Sequence, residues 1–84
     1  MTEKQKEDRR RALRGRRLEP GIHVKMIKGR PSEVERMMKA FYKQMQEDYI
    51  GFKVIQTSSG YLPYGIAMTI TFEIEDINYP SWLR

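Results

Sequence analysis

Six arginines near the N-terminus, Arg9, Arg10, Arg11, Arg14, Arg16 and Arg17, are the side chains best suited to ligand chemistry in this 84-residue chain. A planar guanidinium donates paired hydrogen bonds to one phosphate or carboxylate, and release of condensed counterions adds a salt-dependent driving force when the target is a nucleic acid. An arm of this kind grips backbone phosphates without reading sequence. The same cluster suits an acidic protein surface, and without any ligand it is a solubilising tail.

A second group is Tyr61, Leu62 and Tyr64, within a stretch rich in turn formers. Exposed aromatics fit a protein interface or stacking on unpaired bases, and the plainer alternative is that they fold back over the end of the core. A third is His23 with Glu73 or Glu75, where a histidine between carboxylates could move a proton or hold a metal, or could equally be a solvated patch. There is no cysteine and only one histidine, which excludes disulfides, thiolate metal sites and a histidine-rich site within one chain. No phosphate-cradling glycine loop or nucleophile elbow is present. No catalytic residue, metal or cofactor is therefore expected, and the reading is non-enzymatic.

Charge is placed unevenly. Residues 1 to 20 hold eight basic and four acidic side chains, and residues 21 to 84 hold eight and seven, within a net charge of +5. A basic arm, residues 1–20, thus precedes one small domain, residues 21–84. The arm has few apolar residues, of which Ala12, Leu13 and Leu18 could touch a core. It is expected to be disordered or to form part of a helix from about Thr2 to Leu13, weakened at Gly15 and ended at Pro20-Gly21. No apolar run approaches a membrane span and no signal peptide is recognisable, so a cytoplasmic protein without membrane contact is expected.

The element that must position everything else is PSEVERMMKAFYKQMQEDY, residues 31 to 49. Val34, Met37, Met38, Phe41, Met45 and Tyr49 recur at the spacing of one helical face, read as core. Ser32 with Glu35 has the pattern of a capping box, which starts the helix at Glu33, and Gly51 is placed to terminate it in a left-handed conformation. Before the helix, IHVKMIK alternates Ile22, Val24 and Met26 against His23, Lys25 and Ile27, and predicts a strand whose first set is buried. After it, FKVIQTS predicts a strand to about Thr57, Ser58 to Gly65 a wide loop, and Ile66 to Glu75 the clearest strand, with Ile66, Met68, Ile70, Phe72 and Ile74 on its buried side. The expected fold is α+β, in β-α-β-β order: a three-stranded, mainly antiparallel sheet with the last strand in the middle, covered on one face by the helix. The open face would then carry His23, Lys25, Ile27, Lys53, Ile55, Thr69, Thr71 and Glu73. The tail, NYPSWLR, is apolar enough for Trp82 to dock on the domain or a neighbouring subunit.

The runs IHVKMI, VERMMKAFYKQM, FKVIQTSSG and YGIAMTITFEI resemble the layout of a small sporulation-associated family of Gram-positive bacteria, and of tiny strand-helix-strand-strand proteins of phages and mobile elements. The resemblance covers residues 22 to 75 and implies a fold and a genomic setting, without an activity. The arm and the tail depart from that layout. Dodecin-like proteins share the element order, but no residue here matches their ligand positions.

Two function classes follow from the residues. The first is an accessory protein contacting nucleic acid, or a nucleic-acid-handling complex, through the arm. The second is a protein-binding or inhibitory module acting through the open sheet face and the tyrosines. In addition, 64 residues make a small core, and a domain of that size buries only about 60% of the surface its unfolded chain exposes, so a homo-oligomer is expected.

Overall fold

A computed structural model describes residues Met1 to Leu83, so the last residue of the tail, Arg84, lies outside it. The elements are α1 (Glu3–Arg14), β1 (Gly21–Gly29), α2 (Pro31–Asp48), β2 (Tyr49–Ile50), β3 (Lys53–Leu62), β4 (Gly65–Ile74), β5 (Asp76–Ile77) and a 3-10 turn at Ser81–Leu83. The fold is α+β. β4 lies between β1 and β3 and is antiparallel to both, while β2 and β5 pair as a separate two-stranded ribbon that the sequence did not predict.

The strict alternation of β4 places Ile70, Phe72 and Ile74 in the core, with Val34 from the first turn of α2, Met45 from its last turn and Tyr49 just beyond it closing over them. Phe41 reaches Phe72 edge-on at 5.5 Å between centroids, and Phe52 lies 5.7 Å from the same ring, so one aromatic side chain of β4 anchors both the helix and the entry to β3. Tyr42 joins this cluster, 6.1 Å from Phe52, whereas Met37 from the expected apolar stripe is left partly outside. The core is small. The radius of gyration is 15.9 Å, with a long axis of 54 Å, against about 12 Å for a compact domain of this length.

The helix boundaries differ from the sequence reading. Arg30 is the N-cap, no side chain caps it, and Pro31 occupies the first turn. Proline supplies a helical φ and lacks an amide that would need a partner, so the Ser32–Glu35 box is not required. A capping box is present instead on α1, where Thr2 Oγ1 accepts from the Gln5 amide at 3.2 Å and the Gln5 side chain accepts from the Thr2 amide at 3.0 Å. At the other end of α2 the chain passes directly into β2 through an extended Tyr49. Gly51, with φ 71°, then turns the chain toward β3 instead of capping the helix.

The larger correction concerns β1. His23 pairs with Phe72, Lys25 with Ile70 and Ile27 with Met68, and directly paired residues share a face, so the helix-facing set is the one predicted to be open. Ile27 is buried, and Ile22, Val24 and Met26 are 65, 64 and 52% exposed. Parity is set by Gly29. It sits under the first turn of α2, where a Cβ would lie 3.1 Å from Glu33 Oε2 and 3.4 Å from Met37 Cε, and it meets Gly65, where a Cβ would collide with the Gly29 carbonyl. With Gly29 facing the helix, Ile27 must face it too, because side chains alternate.

The predicted wide loop at Ser58 to Gly65 is also absent. Strands β3 and β4 continue to Leu62 and Gly65, leaving Pro63 and Tyr64 as a two-residue turn. A bulge between Val54 and Gln56 leaves Ile55 exposed and shifts the β3–β4 register by one residue from there to the hairpin tip. Replacing Gly65 with alanine should destabilise the domain by about 1 to 3 kcal/mol, the usual range for overpacking a site whose neighbour is rigid backbone. Thermal melting of Gly65→Ala beside the harmless control Gly60→Ala, where a Cβ meets nothing within 4 Å, checks this.

Candidate functional site

The arginines do not form a free arm. Lys6, Arg10, Leu13 and Arg17 recur at helical spacing, and each is partly buried, so α1 and its exit present one face to the rest of the chain. That face is built from charged residues whose aliphatic stems provide the contact surface while their heads find polar partners. A search for an apolar stripe misses it. Arg10 Nε donates to the Leu83 carbonyl, Arg14 Nε donates to the Tyr79 hydroxyl at 3.2 Å, and Arg17 lies 3.6 Å from Asp48 Oδ1. Arg9 covers the half-exposed Trp82 ring at 5.4 Å from its centroid. The Leu18 amide donates to the Tyr49 hydroxyl at 2.9 Å, which ties the end of the segment to the core. The hydrogen bond to Tyr79 raises the Arg14 pKa above its ordinary value, without functional effect on a group that is always protonated.

These contacts need the tail in place. Asn78 donates to the Asp48 carbonyl through its backbone at 2.8 Å and to the Glu47 carbonyl through its side chain at 2.9 Å, after the β2–β5 pairing has turned the chain back over the end of α2. Leu83 is buried, so the tail docks through Leu83 as well as Trp82. N-terminal helix and C-terminal tail thus clasp each other. The Arg11 and Arg16 side chains remain exposed, with no side-chain hydrogen bond or ion pair among the described residues, and exposed Glu7 and Asp8 lie on α1 with Arg11.

Tyr61, Leu62 and Tyr64 sit together at the tip of the β3–β4 hairpin. Tyr61 is 96% and Tyr64 91% exposed, and Leu62 is partly exposed beside them. They do not fold back over the core, because the strands carry them outward and the two-residue turn has no slack.

His23 and Glu73 are separated. His23 faces α2, stacks on Phe72 at 5.7 Å and donates through Nε2 to the Glu19 carbonyl at 2.6 Å, while Glu73 pairs with Ile22 on the opposite face. No group of three histidine or acidic side chains among the described residues could hold a metal ion. Among the described residues, no helix is long and apolar enough to cross a membrane. Comparison with protein-family models, curated proteins and solved structures finds no match for the chain.

The buried end of the tail generates a prediction. Leu83→Ala should lower stability by about 2 kcal/mol, the low end for leucine truncation because a chain end can relax. It should also raise amide exchange in α1 more than in β4, since α1 keeps its shape through the tail. Hydrogen exchange on the full chain measures both.

Proposed function

We propose that the chain is a small, non-enzymatic binding protein that engages a protein partner through the hairpin tip. The observation that carries this reading is the near-complete exposure of Tyr61 and Tyr64 at the end of a tightly closed hairpin. A tyrosine brings a large apolar ring and a polar hydroxyl at low conformational cost, and such residues dominate binding energy where they become buried. The closed hairpin fixes the backbone from which both rings project, which reduces the main-chain ordering cost of association. An accessory or inhibitory role, with no cofactor and no chemistry of its own, fits such a surface.

A second reading, contact with nucleic acid through the arginine segment, is favoured by the exposure of Arg11 and Arg16. It is the weaker one, because Arg9, Arg10, Arg14 and Arg17 already have intramolecular partners and acidic Glu7 and Asp8 share the outer surface of α1.

A photo-reactive amino acid at position 61, introduced in cells of the protein's source, would identify the partner, and the complex would then be reconstituted. The Tyr61→Ser/Tyr64→Ser variant should bind at least tenfold more weakly, with little salt dependence in the wild type. For the second reading, two phosphate contacts from Arg11 and Arg16 predict an affinity for labelled duplex or single strand that falls about tenfold between 50 and 200 mM salt. That binding would disappear in Arg11→Glu/Arg16→Glu. Tyrosine variants that bind the reconstituted partner as well as wild type would overturn the first reading.

A further inference from the structure

Beyond the hairpin tip, the edge strand β1 has an unpaired outer side and an apolar face. It runs nine residues without a proline or a bulge, and it carries Ile22, Val24 and Met26 in a row on the open face. Natural sheets blunt such an edge with proline, bulges or dense charge. β3, at the other edge, is bulged at Val54/Gln56 and continues as the polar stretch Gln56 to Gly60. β1 has only Lys25 and Lys28. A groove beside it, between the strand and α2, is lined in part by Met26, Met37 and Phe41.

We infer that the β1 edge pairs with β1 of a second copy of this chain, antiparallel about a two-fold axis through Val24, to give one continuous six-stranded sheet. The register follows from side-chain chemistry. Centring the axis on Val24 sets Val24 against Val24 and Ile22 against Met26, so all six apolar side chains meet on one face. His23 then lies opposite Lys25 on the helix-facing side. Lys28 of each chain comes opposite Pro20 and beside the exposed Glu19 of the other, which adds opposite charges at both ends. A register centred one residue later would put Lys25 directly against Lys25, which like-charge repulsion disfavours. One centred one residue earlier would leave Met26 facing Pro20 without an apolar partner. The second copy is therefore the occupant that completes both the hydrogen-bond ladder and the exposed apolar row, as a two-fold interface requires of a self-complementary patch.

Sedimentation of the full chain tests this, together with a single cysteine in a chain that has none. The wild type should be a dimer at 100 µM. Val24→Lys, at an exposed position that the fold does not need, should raise the dimer dissociation constant at least tenfold while leaving the circular dichroism unchanged. Val24→Cys should form a covalent dimer under mild oxidation, because directly opposed strand residues bring Cα atoms within disulfide range, and Ser58→Cys on β3 should not. A monomeric wild type at 100 µM overturns the inference, as does a dimer that survives Val24→Lys and fails to cross-link through Val24→Cys. Tyr61→Ser/Tyr64→Ser should leave the dimer intact, so the outcome is independent of the hairpin-tip reading.

Discussion

The close approach of Gly65 to Gly29 decides more of this structure than any single apolar contact. Two backbones that meet without side chains between them let the start of β4 pass the end of β1 directly beneath the first turn of α2. Once that crossing is fixed, side-chain alternation leaves no choice. Ile27 enters the core, His23 stacks on Phe72, and Ile22, Val24 and Met26 are turned to water. A one-residue slip would bury the more apolar row and satisfy a simple hydrophobic count, but it would drive the Lys28 side chain under α2. Steric exclusion at one point therefore outweighs the transfer free energy of three aliphatic side chains, each worth about 1.5 to 3 kcal/mol if fully buried.

The legibility of the sequence follows the same division. β4 could be read because five apolar residues alternate without a break, with a strand paired along each of its edges and the helix over one face. α2 could be read because its stripe extends over five turns. The parity of β1 could not, since both of its rows contain apolar residues and the deciding glycine acts through a contact distant in sequence. The hairpin was misread for a related reason. Ser58, Ser59 and Gly60 are turn formers by composition, yet pairing with Thr69, Met68 and Ala67 of the strongly β-forming β4 imposes strand geometry on them. Of the candidate surfaces, the tyrosine tip was visible as residue type, and its exposure follows from the long pairing of β3 with β4. The clasp was hidden because its inward face is mostly charged, Lys6, Arg10 and Arg17 around Leu13, which apolar periodicity reads as solvent-facing.

That clasp also explains how a basic, polar segment comes to be ordered. An isolated helix of twelve residues is marginal in water even with favourable composition. Here the Thr2 capping box fixes one end, while Arg10, Leu13, Arg14 and Arg17 gain partners along one side. The individual terms are small: an exposed cation over an aromatic ring contributes about 0.5 to 1 kcal/mol, and a partly exposed ion pair no more than about 1 kcal/mol. Their effect is collective, because each presupposes the tail that Asn78 and Leu83 hold against the end of α2. The arm's order is thus borrowed from the tail, whose order comes from the β2–β5 ribbon.

The same energetics bear on where a ligand can act. A polyanion approaching the arm would compete with the Leu83 carbonyl, the Tyr79 hydroxyl and Asp48 for guanidinium groups, so any affinity it gained would be reduced by the contacts it displaced. A partner at the hairpin tip displaces nothing but water from Tyr61 and Tyr64. Between two surfaces of comparable size, the one whose side chains are unengaged, on a backbone already fixed by pairing, delivers more of its gross interaction energy as net binding. This argument ranks the tyrosine tip above the arginines even though the arginines dominate the sequence by number and charge.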